Sequence, residues 1–157
     1  PVTTLAQLIE FNRAHAARTM PYFGQELLEQ AAALGPLDTA EYRRAKRDAA
    51  RLAGPDGIDA ALSRHSLVAL IAPTTSPAWP IDLLNGDHFT GAGYGAAAVA
   101  GYPSLTVPMG DALGLPVGLT FMGPKWSEAQ LLALAYAFEQ HTRARRAPTF
   151  APTLPAP

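Results

Sequence analysis

The 157 residues predict an α/β fold, on two observations. Charge and turn residues are segregated along the chain. Residues 1–71 hold 16 charged side chains and 8 Gly plus Pro, whereas residues 72–124 hold 3 charges, all aspartates, and 16 Gly plus Pro. The first composition is that of surface helices, the second that of buried strands joined by tight turns. In addition, capping-box spacings precede apolar stripes of helical period near both ends of the chain. The expected organisation is a helical segment over 1–65, a strand-rich core with a C-terminal helix over 66–147, and an extended Pro-rich tail over 148–157, all within one domain fragment.

The elements follow in order. Thr4-Leu-Ala-Gln7 opens a first helix that places Leu5, Leu8 and Ile9 on one face. A second is expected near Gln25 to Leu34, stopped by Gly35-Pro36. Asp38-Thr-Ala-Glu41 opens a third, ending at Ala53 before Gly54-Pro55, and a fourth runs from Asp56 to His65. Leu67 to Ala72 is a short apolar run ended by Pro73, the pattern of a buried strand. The glycines of Gly91-Ala-Gly93-Tyr-Gly95 permit close packing around a short Ala-rich helix that ends near Gly101. Two strands are expected at Ser104–Val107 and Leu115–Met122, separated by turn residues at Pro108–Gly110 and Gly114. Behind the capping box Ser127-Glu-Ala-Gln130, Leu131, Leu134, Ala135 and Phe138 mark the last helix.

Several function classes are excluded by composition. A net charge of −1 supplies too little field to attract nucleic acid or anionic lipid. With no cysteine there is no thiol nucleophile, disulfide or thiolate metal site. The longest apolar run, Leu131 to Phe138, is far short of the roughly 20 residues of a membrane span. No basic-then-apolar segment opens the chain, so a soluble cytoplasmic protein is the expectation.

Three constellations have plain readings. Arg43, Arg44, Lys46, Arg47 and Arg51 form a solvated basic helix face, with Glu41 and Asp48 among them. Gly91 to Ala96 fits a loose dinucleotide pattern but lacks the preceding strand that the chemistry needs. No nucleophile elbow surrounds Ser104, and His15, His65, His88 and His141 are scattered, with no metal-ligand pair. The residues themselves therefore carry no assembled catalytic set and no metal site.

The blocks Ala72-Pro-Thr-Thr75, Asn85-Gly-Asp-His-Phe-Thr90 and Ala100-Gly-Tyr-Pro-Ser-Leu-Thr-Val-Pro-Met-Gly110 resemble the C-terminal part of amidase-signature hydrolases. Gly114-Leu-Pro-Val-Gly-Leu119 and Ser127-Glu-Ala-Gln-Leu-Leu132 follow in that family's order. Pro21-Tyr-Phe-Gly-Gln-Glu26 is similar to its bacterial peptide-amidase-like members. The resemblance implies a mixed sheet flanked by helices and cofactor-independent hydrolysis of a carboxamide to acid plus amine or ammonia. It also implies a serine nucleophile, a second serine in a cis peptide and a lysine, all in a Gly/Ser-rich region or motif that this chain does not contain. Its only lysines, Lys46 and Lys125, lie in no matching motif. The chain is thus expected to be about the last third of a family member, inactive without its triad-bearing half. A 53-residue stretch with three charges fits the interior of a larger protein, so apolar surface and self-association are expected of the piece alone.

Asp87 is the leading candidate site residue. By resemblance it holds the ammonium group of an amino-acid-like substrate; as a residue type it equally suits a turn or helix cap. Phe89, Trp79 and Tyr94 either line a peptide-accepting pocket or belong to the core. Ala98 stands where family members often carry asparagine, which favours the narrower subgroup. The implied partners are a small-molecule or peptide amide and the missing half. The alternative is a short non-catalytic fragment that binds a partner through its uncovered core face.

Overall fold

The computed structural model describes residues 2–150. It divides into two compact units, one reaching Arg43 and including Ile81–Gly86, the other holding Arg44–Pro80 and the residues from Asp87 on. The Pro-rich tail expected at 148–157 lies outside the described residues from Ala151 on.

In the first unit, helix α1 (Leu5–Ala14) begins at the expected box: Thr4 Oγ1 accepts from Gln7 N–H, and the Gln7 side chain accepts from Thr4 N–H. A short α2 (Ala16–Thr19) follows, then α3 (Glu26–Ala33). Buried Gln25 ties α1 to the start of α3, donating to Ile9 C=O at 3.1 Å and accepting from Asn12 at 3.0 Å. Arg13 bridges the same helices, at 2.5 Å from Glu10 and 2.8 Å from Glu29. Helix α4 (Ala40–Ala53) is capped by Thr39 rather than the expected Asp38, since Thr39 Oγ1 accepts from Tyr42 N–H.

The expected stop at Gly54-Pro55 does not occur. The chain widens instead into a π-helical stretch, Gly54–Asp59, and runs on into α5 (Ala60–His65). Pro55 lacks an N–H and its ring crowds the carbonyl four residues back, which a wider turn relieves without a break. At the end of the stretch Ala60 N–H reaches the Pro55 carbonyl, five residues back. Gly54 has a packing reason too: a Cβ there would meet the Tyr102 ring at 3.0 Å.

Strand β1 is Leu70–Pro73, three residues later than expected. Ser66 turns left-handed after α5, and Leu67 N–H bonds back to Leu62 C=O at 2.9 Å, so these residues close the helix. Helix α6 (Gly95–Ala100) ends at left-handed Gly101, as expected. Strand β2 (Ser104–Ala112) is longer than its signal because Pro108–Gly110 is a bulge in the strand, not a turn. A two-residue turn at Leu113-Gly114, both with positive φ, leads to β3 (Leu115–Met122). Helix α7 (Glu128–Thr142) follows, but Ser127 does not cap it: its hydroxyl donates to Pro124 C=O at 2.7 Å.

The three strands lie in the order β1-β3-β2, each neighbour antiparallel, so β1 and β2 run in the same direction. On one face Met122, Leu70 and Ala72 pack with Ile58, Leu62, Ala97 and Tyr102. On the other Phe121, Leu105, Val107 and Leu119 pack with Leu131, Ala135 and Phe138 of α7. The sheet thus lies between helices. Apolar residues expected to be buried are exposed, Ile71 in the first strand and Phe89 and Val99 in the charge-poor stretch among them. None of the described helices is long and apolar enough to cross a membrane.

Candidate functional site

The chain leaving β1 and the chain entering α6 are held side by side. Thr75 and Ala92 form an isolated antiparallel bridge, Thr75 Oγ1 donates to Gly91 C=O at 3.1 Å, and Gly93 N–H donates to Thr74 C=O at 3.0 Å. This approach requires Gly93, where a Cβ would lie 2.3 Å from Pro73 O and 2.6 Å from Ala72 Cβ. Between these segments and the β2–β3 hairpin opens a cleft of about 700 Å³, with Met109, Val117 and Ala112 among its apolar walls and Asp111 at its margin. It lies at the C-terminal ends of β1 and β2, the end of an open α/β sheet where ligands are usually bound.

Three of the four expected site residues come together on the loop beyond β1. Trp79 Nε1 donates to Asp87 Oδ1 at 3.3 Å, and the Trp79 and Phe89 rings lie 6.2 Å apart, tilted by 58°. Phe89 is 58% exposed and Asp87 is exposed as well, so this corner is an open surface and not core. Tyr94 is apart from it. It precedes α6, is 42% exposed, and makes no hydrogen bond or ring contact with the other three among the described residues.

The turn chemistry that Asp87 suited belongs to Asp82. Its Oδ1 accepts from the N–H groups of Leu84 and Asn85, both at 2.9 Å, and Oδ2 from the Asn85 amide at 2.8 Å. These bonds, led by the Asn85 backbone bond, hold the Asp82 carboxyl below its ordinary value. Asp87 caps no helix, and among the described residues only Trp79 occupies it; its second oxygen is free for a donor from solvent or ligand.

Sequence reasoning passed over a hydroxyl ladder at the same end of the sheet. Thr120 donates to Thr74 Oγ1 at 2.9 Å, and Thr74 and Thr106 share a hydrogen bond of 2.5 Å. The parity of Thr106 and Thr120 in their strands was the available signal. Ser76, on the cleft wall, also went unremarked; its hydroxyl is buried and has no hydrogen-bond partner among the described residues.

The amidase family profile matches residues 6–132. The crystal structure of peptide amidase in complex with the competitive inhibitor chymostatin is similar at a TM-score of 0.92 and 61% identity, over 96% of this chain and 31% of that one. Native peptide amidase from Stenotrophomonas maltophilia is similar at 0.87 and 59%, over 96% and 30%. An amidase family protein from Bacillus anthracis is similar at 0.73 and 29%, over 96% and 26%. A protein of Arabidopsis thaliana described as a probable amidase is 29% identical over 155 residues, 96% of this chain and 26% of its own length. The chain spans between 26% and 31% of the length of these four relatives.

Proposed function

The chain belongs to the amidase family, and from that premise we propose that it is the C-terminal third of an enzyme that hydrolyses a carboxamide to acid plus amine or ammonia. The nucleophilic serine, its partner serine in a cis peptide and the lysine are supplied by the part of the enzyme outside this chain. This chain contributes a wall of the substrate pocket. The observation that carries the reading is the match to two peptide amidase structures at 59% and 61% identity across 96% of the chain. Those relatives point to peptide or amino-acid amides as the substrate class.

Within the wall, Asp87 receives the substrate's ammonium group. Trp79 supports this role by holding one carboxylate oxygen, which leaves the other to face the ligand. Phe89, beside Trp79, offers an apolar surface to the neighbouring side chain of the substrate. An exposed carboxylate of this kind contributes modestly, because water screens it.

The test is Asp87→Asn in the complete enzyme. KM for amides with a free amino group is expected to rise about ten-fold, the middle of the range for a charged hydrogen bond at a partly screened site. KM for N-blocked amides should stay nearly unchanged. Equal effects on both substrates would remove Asp87 from the pocket. A second reading, a non-catalytic module that meets a partner through its uncovered apolar face, is favoured by the exposure of Ile71 and Leu132. It predicts that no longer product contains this sequence.

A further inference from the structure

Asn85 is followed by Gly86 on an exposed loop, and that pair carries a chemistry of its own. Glycine has no Cβ, so the amide nitrogen of Gly86 can close on the side chain before it with little steric resistance. Gly86 N, giving up its proton to a base from solvent, forms a bond to Asn85 Cγ. The Cγ–Nδ2 bond breaks, and Nδ2 takes a proton from water and leaves as ammonia. The product is a five-membered succinimide ring, which water then opens at either carbonyl. Attack at Cγ leaves an aspartate at position 85 with a normal backbone. Attack at the main-chain carbonyl leaves an isoaspartyl link, in which the backbone runs through Cγ. The net change in both cases is amide plus water to acid plus ammonia.

The turn holds both groups that the first step needs. Gly86 N–H, the nucleophile, donates to Asp82 C=O at 3.1 Å. Asn85 Nδ2, the leaving group, donates to Asp82 Oδ2 at 2.8 Å. Asp82 Oδ1 accepts from the N–H groups of Leu84 and Asn85, both at 2.9 Å, which fixes the carboxylate itself. These bonds, the Asn85 backbone bond first, hold the Asp82 carboxyl below its ordinary value, so it stays an ionised acceptor through the neutral range. One residue therefore restrains the nucleophile through its carbonyl and the leaving group through its side chain. The turn must open before the ring can close, and the rate carries the cost of that opening. Water for the second step is at hand, since Asn85 is exposed and Leu84 is 94% exposed.

We infer that Asn85 is a latent deamidation site and that Asp82 is the residue that keeps it unreacted. Conversion runs one way and undoes its own restraint. A carboxylate at position 85 has no N–H to donate to Asp82 Oδ2 and repels it as a like charge. The turn that loses this bond directly precedes Asp87 in the chain, and the isoaspartyl product adds a carbon to the backbone there. The inference is independent of the amidase reading, because it concerns only residues 82–86.

The experiment compares the complete enzyme, its Asp82 variants and the free, end-blocked peptide of residues 81–89 in mildly alkaline heavy-oxygen water. Mass spectrometry follows the Asn85 peptide, in which each conversion incorporates one oxygen from the solvent. Asn85 in the native enzyme is expected to convert at least about ten-fold more slowly than in the free peptide, the factor that one retained hydrogen bond to a charged group supplies. Asp82→Ala should close most of that gap. Asp82→Asn keeps one accepting oxygen and loses the other, so it should convert at an intermediate rate even where Asp82→Ala fails to fold. Conversion in the native enzyme as fast as in the peptide would overturn the inference. So would a folded Asp82→Asn enzyme that converts no faster than the native one. Asn85→Asp carries the charge of the direct product and reads the consequence without waiting for the reaction. Its Leu84 amide should exchange at least about ten-fold faster than in the native enzyme, as the turn opens. Unchanged exchange at Leu84 would overturn the loss of the turn.

Discussion

At the scale of single residues, one part-buried hydrogen bond sets an alkaline limit on stability. The Tyr102 hydroxyl donates to Asp59 Oδ2 at 2.6 Å, and the other oxygen of Asp59 is buried without a partner among the described residues. That bond first, then burial and the charge of Asp59, raise the Tyr102 pKa above its ordinary value of 10.0. A raised value means that the folded state keeps the proton where the unfolded chain has lost it. The contribution is therefore whole below about pH 10 and is lost as pH rises through the folded value. Tyr102→Phe should cost about 1–2 kcal/mol in urea unfolding at neutral pH, since Asp59 loses its donor. The same variant should flatten the fall in stability above pH 10. An unchanged alkaline slope would mean that the bond does not persist in solution. The candidate site was legible at this scale only in part. Asp87, Trp79 and Phe89 were marked by an almost charge-free context, and they meet in space. Tyr94 carried the same mark and lies elsewhere, because composition reports burial potential and not direction. Asp82 was overlooked as the turn aspartate since both acids sit in one stretch of turn residues, and only the backbone path separates their roles.

Elements were readable wherever local chemistry decides the outcome alone. The box at Thr4, the Leu131–Phe138 stripe and strand β3 appear where their patterns place them. The errors share one cause, which is that punctuation residues have more than one tolerated geometry. Pro55 ended a helix on paper and widened one in the structure, and Pro108 to Gly110 bend a strand that continues to Ala112. Gly54 tests the first of these. A Gly→Ala change inside an exposed helix usually stabilises by about 1 kcal/mol. At Gly54 the new Cβ would press on the Tyr102 ring at 3.0 Å, so Gly54→Ala is expected to destabilise by about 1–3 kcal/mol. Denaturant melts of the two proteins decide the sign, and a more stable variant would show that the π-helical stretch is not fitted around Tyr102. Leu131→Ala serves as the reference for an ordinary core loss, about 2–5 kcal/mol for a side chain 1% exposed.

Across the whole molecule, the amino-acid pattern and the surface give the same account. Three charges in 53 residues are too few for a surface, and in this chain much of that stretch is surface. Burial on one side of β1 is supplied by Ile58 and Leu62, and on the other side nothing among the described residues covers Ile71. The fold class was therefore legible from composition and period, while the missing cover was legible only as an excess of apolar residues. The short chain should bind an apolar dye such as ANS and self-associate as concentration rises, and a monomeric chain that leaves the dye dark would count against an uncovered face. The most direct test of the central claim is the in-frame coding sequence upstream of Pro1. The account predicts an open frame of a few hundred codons carrying a lysine and a Gly/Ser-rich region with two serines. A start codon immediately before Pro1 would contradict it, leaving a 157-residue product with no nucleophile and a binding face in search of a partner.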